Sequence, residues 1–264
     1  MDISGNTIFI PGATSGIGLA LALALRDRGN TVIIGGRRAQ LLDEIAAANP
    51  GLDTVTIDTA DPASITAAAD RVLAKHPDLN VLVTMAGVMR IEDWRSPDTF
   101  LASAEEVVTT NVLGPIRLIA AFVEHLRQRG NATIVTVSSG LAFVPLRVTP
   151  SYNASKAAVH MLSESIRLNL AGTGVRVLEL VPPAVRTELL PGHESNETGH
   201  AAGRVRGRGD DAAGVAAGRD GDPGRAGEVP PPRGGARRLR QGRRHGERDR
   251  SARVHPLISI DTYL

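Results

Sequence analysis

The chain of 264 residues contains no cysteine, and only 3% of its residues are aromatic. Without cysteine there is neither a disulfide framework nor a metal site built on thiolates. The apolar run over residues 17–25 is far too short to span a membrane, and residues 1–4 lack the basic segment of a signal peptide. These absences predict a cytoplasmic protein that does not interact with a membrane.

Ser139, Tyr152 and Lys156 form the most informative pattern that is present. Tyr152 and Lys156 have the spacing that places both on one face of a helix, with an ammonium beside a phenol. One charge about 4 Å from a phenol supplies roughly the 4 kcal/mol needed to bring its pKa from about 10 toward 7. Ser139 follows a strand-like run and can donate a hydrogen bond to a substrate carbonyl while Tyr152 supplies the proton. The pattern predicts carbonyl reduction or its reverse, with hydride from a cofactor.

A glycine turn near the N-terminus strengthens this prediction, because a Tyr and a Lys at this spacing are usually only two surface residues. Residues 6–11 have the composition of a short buried strand, and Gly12-Ala-Thr-Ser-Gly16-Ile-Gly18 leads from them into an Ala/Leu-rich helix. In such an arrangement backbone N–H groups approach a pyrophosphate at the helix N-terminus. A dinucleotide cofactor is therefore expected.

Over residues 3–190 the joint pattern resembles the short-chain dehydrogenase/reductase family, in its common single-domain type. The glycine turn matches the cofactor turn of that family, and Asn111, Ser139, Tyr152 and Lys156 match its catalytic tetrad in order and spacing. The resemblance implies that Tyr152 donates and accepts the proton and that Lys156 lowers its pKa and holds the nicotinamide ribose. It also implies that Ser139 orients the substrate and that Asn111 holds a water in a proton relay. The segments around Ser139 and Tyr152 look most like a bacterial subgroup named after an oxidoreductase of the D-alanyl-lipoteichoic-acid operon.

The end of the second strand-like run, residues 31–35, indicates the cofactor. NAD enzymes usually place an acid here to accept from the ribose 2′-OH, but this chain has Gly36 followed by Arg37 and Arg38. A guanidinium binds a 2′-phosphate with two hydrogen bonds, so NADP(H) is favoured over NAD(H). The alternative is that the two arginines only solvate a loop.

By the same resemblance, cofactor contacts come from the glycine turn, the ends of several strands and the tetrad. The expected cofactor-binding residues are Gly12, Thr14, Ser15, Gly16, Ile17, Gly18, Arg37, Arg38, Asp58, Ala86, Gly87, Asn111, Tyr152, Lys156, Pro182, Val185 and Thr187. The chain departs from the family pattern at two places. Thr84-Met85 stands where Asn-Asn is common, and Pro182-Pro183 stands where Pro-Gly is common, so a second proline fixes φ there.

Strand-like and helix-like runs alternate over residues 6–181, which predicts an α/β fold, a Rossmann-like doubly wound parallel sheet with helices on both faces. Helices are predicted over residues 16–28, 39–49, 62–76, 100–129 and 152–171, and the longest is a candidate for a break. Asp61 is expected to cap the third helix, with Pro62 at its first position. Members of the resembling family commonly associate through the helices that here bear Asn111 and Tyr152, so a homodimer or homotetramer is expected.

Three histidines and one apolar loop indicate whether the chain binds a metal and what kind of substrate it takes. His76, His125 and His160 fall at helical positions without the spacing of metal ligands, so no metal is predicted. The run Leu141-Ala-Phe-Val-Pro-Leu146 is apolar, and in the resembling family it would line the substrate side of the pocket. A small hydrophobic carbonyl or alcohol is the expected substrate, although a loop that packs on the core explains the run equally well.

Residues 199–254 differ in composition from the rest. They hold fourteen arginines against seven acids, a net charge of +7 that exceeds the +2 of the whole chain, and they lack Lys, Ile, Phe, Met, Tyr, Trp, Asn and Thr. No packed core can be built from such a segment. Residues 1–190 are therefore predicted to be the NADP-binding catalytic domain, and residues 191–264 an atypical Arg/Gly-rich C-terminal segment that is a candidate for disorder.

Two explanations of this segment remain open. An Arg/Gly-rich arm binds nucleic acid through phosphate contacts, but such arms usually interleave aromatics, and residues 199–254 have none. A frameshift in GC-rich coding DNA is favoured, because the codons of residues 200–214, read one base later, permit an amphipathic helix. The main hypothesis is an oxidoreductase whose substrate lid region is altered. The alternative is a catalytically impaired cofactor-binding protein with a nucleic-acid-binding tail.

Overall fold

Six parallel strands form the central sheet of the structure, a computed structural model that describes residues 3–182 and the backbone of residues 185–186 and 200–201. The strands are β1 Thr7–Pro11, β2 Thr31–Gly36, β3 Leu52–Thr56, β4 Val81–Thr84, β5 Ala132–Val137 and β6 Val175–Leu180. Their order across the sheet is β3-β2-β1-β4-β5-β6, and all neighbours are parallel. Two short strands, β7 Val185–Arg186 and β8 His200–Ala201, pair with each other. The predicted Rossmann-like, doubly wound fold is confirmed.

Helices connect the six strands, and they begin and end within a few residues of the predicted positions. They are α1 Gly16–Asp27, α2 Ala39–Ala48, α3 Pro62–Lys75, α4 Pro97–Val108, α5 Gly114–Arg129 and α6 Pro150–Asn169. Asp61 caps α3 as predicted, because its carboxylate accepts a hydrogen bond from the Ala63 N–H at 2.9 Å and Pro62 lies in the first turn.

Both faces of the sheet are buried, and for this reason its strands are nearly continuous apolar runs. On one face Phe9 and Ile33 belong to the same core cluster as side chains of α3 and α5, and the ring centroids of Phe9 and Phe122 are 5.5 Å apart. On the other face Ile8 and Ile10 cluster with side chains of α1 and α2. Full burial of a side chain of this size stabilises the fold by roughly 1.5–3 kcal/mol.

The long helix predicted over residues 100–129 is interrupted by a π-helical turn, Thr109–Leu113, between α4 and α5. Pro115 has no N–H for the carbonyl of Asn111 four residues earlier, so the regular α-helical bonding cannot continue through this point. Gly114 allows close packing here, since a Cβ would lie 3.1 Å from the Thr59 carbonyl oxygen. Turns of this kind are frequent at functional positions, and this one carries Asn111.

The combined helical segment Pro97–Arg129 is long and apolar enough, by length and composition alone, to cross a membrane. A single segment of this kind is weak evidence for a membrane span, because core helices pass the same test. Leu118, Phe122 and Leu126 of α5 are buried in the core cluster that includes one face of the sheet. The fold thus uses this segment as one of the helices that cover the sheet.

Candidate functional site

A cavity of about 910 Å³ lies at the carboxyl ends of the strands, where β1 and β4 are neighbours. Ligands of open α/β sheets bind at this position, because the order of the strands reverses here and leaves a crevice. The expected site residues that line the cavity are Gly12, Thr14, Ser15, Gly16, Ile17, Gly18, Arg37, Arg38, Asp58, Ala86, Gly87, Ser139, Tyr152, Lys156 and Pro182. Asn111 is buried beside it, Val185 is described only as backbone of β7, and Thr187 lies outside the described residues.

The glycine turn between β1 and α1 has no room for larger residues at two positions. Gly12 has a φ of +92°, and a Cβ there would lie 2.5 Å from the Cα of Ala86 in the loop after β4. A Cβ on Gly18 would lie 2.8 Å from the Gly12 carbonyl oxygen. The turn and the loop therefore meet backbone to backbone at the N-terminus of α1, a cradle that fits the phosphates of a dinucleotide.

Arg37 and Arg38 are exposed at the end of β2, and both line the cavity. Gly36 before them is buried, and a Cβ there would lie 2.4 Å from the Cγ2 of Thr14 in the glycine turn. An acidic side chain at position 36 would require Thr14 to move. Two cations therefore form the edge of the cavity at β2. The acidic residue nearest to them among those that line the cavity is Asp58, which follows β3.

Tyr152 and Lys156 lie one turn apart on α6, and both are buried. The Nζ of Lys156 lies 5.6 Å from the centroid of the Tyr152 ring and donates a hydrogen bond to the Val137 carbonyl oxygen at 2.8 Å. Ser139, just after β5, lies near enough to the Tyr152 phenol to lower the pKa of that phenol, and its Oγ accepts from the Leu141 N–H at 3.2 Å. The three groups predicted to transfer a proton are together on one wall of the cavity.

The environment of Tyr152 changes its acidity in a direction that the sequence did not indicate. Burial raises the pKa of the phenol, and the hydrogen bond with Ser139 offsets only part of that rise. A lowering by Lys156 was expected. Lys156 is itself buried, which lowers its pKa to about 8, and its ammonium is directed at the Val137 carbonyl. The phenol is therefore protonated at neutral pH.

Asn111 is 1% exposed and joins three parts of the site. Its Oδ1 accepts from the Val88 N–H at 2.8 Å, and its Nδ2 donates to the Val88 carbonyl oxygen at 2.9 Å and to the Ser155 Oγ at 3.0 Å. The π-helical turn, the loop after β4 and α6 are thereby held together. The role in a proton relay remains a prediction, and the observed contacts of the side chain are structural.

The two departures from the family pattern have different outcomes. Thr84 lies at the end of β4 in the middle of the sheet, is 2% exposed, and has a hydroxyl without a hydrogen-bond partner among the described residues. The amide that is common at this position is thus not replaced by another bonded group. Pro182 lines the cavity, whereas Pro183 lies outside the described residues.

Two of the three histidines considered as metal ligands have ordinary hydrogen bonds. The Nε2 of His76 lies 2.6 Å from an Asp53 carboxylate oxygen, and the Nε2 of His125 lies 2.9 Å from the Leu79 carbonyl oxygen. The first interaction ties the end of α3 to a side chain of β3, and the second ties α5 to the backbone before β4, as expected for residues at the edge of the core.

His160 has acidic neighbours that its sequence spacing did not indicate. Its ligand atom and those of Glu164 and Glu179 lie within 4.8 Å of one another, because Glu179 approaches from β6. The His160 Nδ1 lies 2.9 Å from Glu179, and Arg167 pairs with Glu164 at 2.5 Å. The group is held by hydrogen bonds and by the Arg167–Glu164 ion pair, and the absence of a metal stays a prediction.

The sequence left two explanations for the apolar run after Ser139, a pocket wall and a loop that packs on the protein, and its residues are found in both roles. Leu141, Val144 and Leu146 line the cavity. Phe143 instead packs edge-on against the ring of His160, with centroids 4.8 Å apart.

The loop after β4 contributes residues to the site that the sequence analysis missed. Met85, Val88, Met89 and Arg90 line the cavity. Met89 is buried in one cluster with Tyr152, against which Leu141 also packs. The only signal in the sequence was the apolar composition directly after Ala86-Gly87, which does not distinguish a pocket wall from ordinary core.

Predictions for the C-terminal part concern a segment of which the structure describes only the backbone of residues 200–201. They are the boundary at residue 190, the atypical segment 191–264, and the choice between a frameshift and a nucleic-acid-binding arm. These remain predictions.

Together, the strand order, the glycine turn and the grouping of Ser139, Tyr152 and Lys156 define a Rossmann-fold protein with a candidate active site at the carboxyl ends of its strands. The profile of the family described as short chain dehydrogenase matches residues 6–198. The chain belongs to this family of oxidoreductases.

Known proteins similar to the chain agree with this assignment. The protein described as "Uncharacterized oxidoreductase DltE" of Bacillus subtilis (strain 168) is 40% identical over 189 residues, 72% of this chain and 75% of that protein. This likeness confirms the expected resemblance to the subgroup named after that oxidoreductase.

Two solved structures show the same fold with different cofactors. A short chain dehydrogenase from Burkholderia cenocepacia J2315 in complex with NADP is 28% identical, with a TM-score of 0.67 over 77% of this chain and 81% of that one. A short chain dehydrogenase/reductase from Burkholderia phymatum in complex with NAD is 26% identical, with a TM-score of 0.66 over 75% and 74%.

Proposed function

We propose that the protein interconverts a carbonyl and an alcohol, with NADP(H) as the hydride carrier and Tyr152 as the group that gives and takes the proton. The observation that supports this best is the meeting of Ser139, Tyr152 and Lys156 in the cavity that also holds the glycine cradle. A phenol and a serine hydroxyl are the two donors that a carbonyl oxygen needs as it gains charge.

The residues that line the cavity fit a nicotinamide dinucleotide. Gly12 and Gly18 leave space only for backbone at the N-terminus of α1, and Ala86 and Gly87 keep the facing loop equally small. When bound, the nicotinamide ring supplies or accepts a hydride. Lys156, whose ammonium reaches the same cavity, is expected to hold the nicotinamide ribose.

Arg37 and Arg38 support NADP(H) as the preferred cofactor. The similar solved structures contain NADP in one case and NAD in the other, so family membership alone does not decide the preference. Two exposed guanidinium groups at the end of β2, with no acid at position 36, favour the ligand that carries the additional phosphate.

The protonation state of Tyr152 predicts that reduction and oxidation depend differently on pH. Its pKa is raised above the ordinary value of 10.0 by burial, so the phenol can donate a proton but not accept one. Reduction consumes a proton at this step, whereas oxidation requires the phenolate. We therefore expect oxidation of the alcohol to need a higher pH than reduction of the carbonyl.

A hydrophobic substrate is supported by the wall around Tyr152. Met89 and Leu141 pack in one cluster with Tyr152, and Val144 and Leu146 line the same cavity. Arg90 also lines it, but its guanidinium pairs with the Glu106 carboxylate at 2.6 Å, so its charge is compensated. An uncharged aldehyde or ketone on an apolar group fits this lining.

Turnover of a panel of hydrophobic aldehydes and ketones, with NADPH and with NADH, tests the proposal when wild type and Tyr152→Phe are compared. Phenylalanine keeps the ring that packs on Met89 and removes only the hydroxyl. We expect turnover to fall by about 10²–10⁴-fold while NADPH affinity, measured by fluorescence titration, stays nearly constant. Undiminished turnover in Tyr152→Phe would contradict the role of Tyr152, and a chain that binds neither cofactor would contradict the function itself.

Exposed apolar side chains on α4, α5 and α6 support self-association as a homodimer or homotetramer. They include Leu101, Val108, Ile116, Met161 and Leu168, each at least 42% exposed. Exposed apolar side chains on these helices would be buried if the helices of two subunits packed together. Size-exclusion chromatography with light scattering tests this, and a monomer at micromolar concentration would contradict it. The cytoplasm remains the expected compartment.

A further inference from the structure

Glu92 is a buried carboxylate that has no ion-pair partner in the part of the chain that the structure describes. It lies in the loop after β4, is 7% exposed, and does not line the cavity. Its Oε2 accepts from the Trp94 Nε1–H and from the Ser151 backbone N–H, both at 3.0 Å, and its Oε1 accepts from the Ser103 hydroxyl at 2.9 Å. Three donors, from the loop itself, α6 and α4, compensate the buried charge.

One of these donors is in the first turn of α6, directly before Tyr152. The N-cap residue of this helix, Thr149, makes no capping bond with its side chain, and its hydroxyl donates to the Asn153 Oδ1 instead. N–H groups at a helix start need acceptors, and a carboxylate is favoured there by the helix dipole. Glu92 supplies that acceptor from 59 positions earlier in the chain.

The loop that carries Glu92 also contacts the catalytic groups. Three residues before Glu92, Met89 is buried against Tyr152. The backbone of Val88 exchanges two hydrogen bonds with the Asn111 amide. The Glu92 N–H donates to the Val148 carbonyl oxygen at 3.0 Å, which fastens the loop to the segment before α6. Glu92 therefore connects the loop with the helix next to the residue that bears the phenol.

We propose that Glu92 is a positioning residue for proton transfer, whose carboxylate holds the first turn of α6 against the loop after β4 so that the Tyr152 hydroxyl meets Ser139. The inference rests on the proposed function of Tyr152 and extends it to a residue outside the cavity. A misplacement of a reacting group by about 1 Å costs on the order of 10²-fold in rate, so the effect is measurable.

The ionisation of Glu92 agrees with this role. Burial by itself raises the pKa of the carboxyl, but hydrogen bonds from Trp94, Ser151 and Ser103 outweigh burial and hold the pKa below its usual value. The group is therefore an acceptor at neutral pH.

Titration of the Tyr152 phenol by ultraviolet absorbance tests the proposal without any turnover. The chain has two tyrosines, so Tyr263→Phe as the background leaves Tyr152 as the only phenol. In Glu92→Ala we expect the phenol pKa to rise further, because the Ser139 side chain that lowers it is held less closely to the phenol. We expect kcat to fall about ten- to hundredfold with unchanged NADPH affinity.

Conservative and matched variants separate positioning from general stability. Glu92→Gln keeps an oxygen for Ser151 and Trp94 and an amide that donates to Ser103, so it should restore both the phenol pKa and kcat. Asp93→Ala removes the neighbouring carboxylate, which is exposed and paired with Arg95, and should behave like wild type. Trp94 is the only tryptophan, so its fluorescence reports whether the side chain at position 92 still accepts its N–H.

A wild-type phenol titration in a folded Glu92→Ala would overturn the proposal, as would a Glu92→Gln that restores nothing. If Glu92→Ala does not fold, Glu92→Asp replaces it. The shorter side chain keeps the charge but withdraws from Ser151, and it must raise the phenol pKa for the proposal to stand. A shifted titration together with no turnover in any variant, wild type included, supports the positioning role and contradicts only the proposed reaction.

Discussion

The two walls of the cavity are built by different means. The wall at β1 and α1 comes from one continuous turn, where Gly12 and Gly18 allow backbone to approach backbone. The wall at β5 and α6 is assembled from Ser139, Tyr152 and Lys156, which burial and hydrogen bonds across the fold bring together. A single added methyl group should therefore disrupt the first wall, whereas changing a buried charge or donor should alter the pH dependence and the chemistry of the second wall.

The largest effect is expected from Gly12→Ala, which adds a methyl group to the first wall, where backbone contacts backbone. Its Cβ would lie 2.5 Å from the Ala86 Cα, in a residue that already has a φ of +92°. Overpacking and left-handed strain together should lower the free energy of unfolding by about 2–5 kcal/mol and reduce NADPH affinity at least about tenfold.

Gly29→Ala is the matched control, because Gly29 has a φ of +81° but nothing within 4 Å of the added Cβ. Backbone strain alone should lower the free energy of unfolding of this variant by about 1–2 kcal/mol, and its cofactor affinity should not change. Urea unfolding and fluorescence titration measure both quantities. Equal losses in the two variants would show that contact with Ala86 does not matter.

The second wall is tested by the pH dependence of stability in Lys156→Met. Burial lowers the Lys156 pKa from 10.5 to about 8, so the folded state binds its proton less tightly than the unfolded state. The charged amine thus destabilises the fold fully below pH 8, and this penalty disappears as the pH rises toward 10.5. Relative to the wild type, the free energy of unfolding of Lys156→Met should therefore shift by up to about 3 kcal/mol in favour of methionine as the pH falls from 10.5 to 7.

Lys75→Met serves as the control for this pH series, since the Lys75 side chain is 67% exposed in its ion pair with Asp53. It should change stability by less than about 1 kcal/mol. Urea unfolding at several pH values provides the comparison. A Lys156→Met difference that is constant with pH would show that the buried ammonium carries no penalty.

Arg37→Ala tests whether the first wall also selects the cofactor through side-chain charge. Loss of one guanidinium at the end of β2 should reduce NADPH affinity about tenfold, or 1.4 kcal/mol, and leave NADH affinity nearly unchanged. Arg38→Ala measured in parallel shows which arginine contributes more. If both cofactors lose affinity equally, the arginines do not recognise the 2′-phosphate.

The smallest effect is expected at the sheet between the walls, from Thr84→Val. The Thr84 hydroxyl is buried without a partner among the described residues, so removing it should stabilise the fold by about 1 kcal/mol. Thr136 is its register partner on β5, and its hydroxyl bonds Ser163 at 2.6 Å and the Leu178 carbonyl at 3.2 Å.

Thr136→Val should therefore destabilise the fold by about 1–2 kcal/mol. Urea unfolding measures the free energy of unfolding of both variants. A loss of stability in Thr84→Val would show that the Thr84 hydroxyl has a partner.

Sequence patterns predicted the elements of the fold with small errors at their ends. Asp61 and Pro62 marked the start of α3 correctly, because capping depends on neighbouring residues only. The π-helical turn at Thr109–Leu113 was foreseen only as a break, although Pro115 is its local cause. The loop after β4 was missed as a pocket wall, since Met89 is distinguished from a core residue only by what it contacts.

The amino-acid sequence by itself determined the alternation of strands and helices, the glycine cradle and the identity of the groups that can transfer a proton. These depend on periodicity, on the absence of a Cβ and on side-chain chemistry, all of which are local. Only the tertiary structure decided that burial raises the Tyr152 pKa, that burial lowers the Lys156 pKa to about 8, and that Glu92 caps the helix of Tyr152. Desolvation and long-range hydrogen bonds depend on which segments meet, and the fold alone sets that.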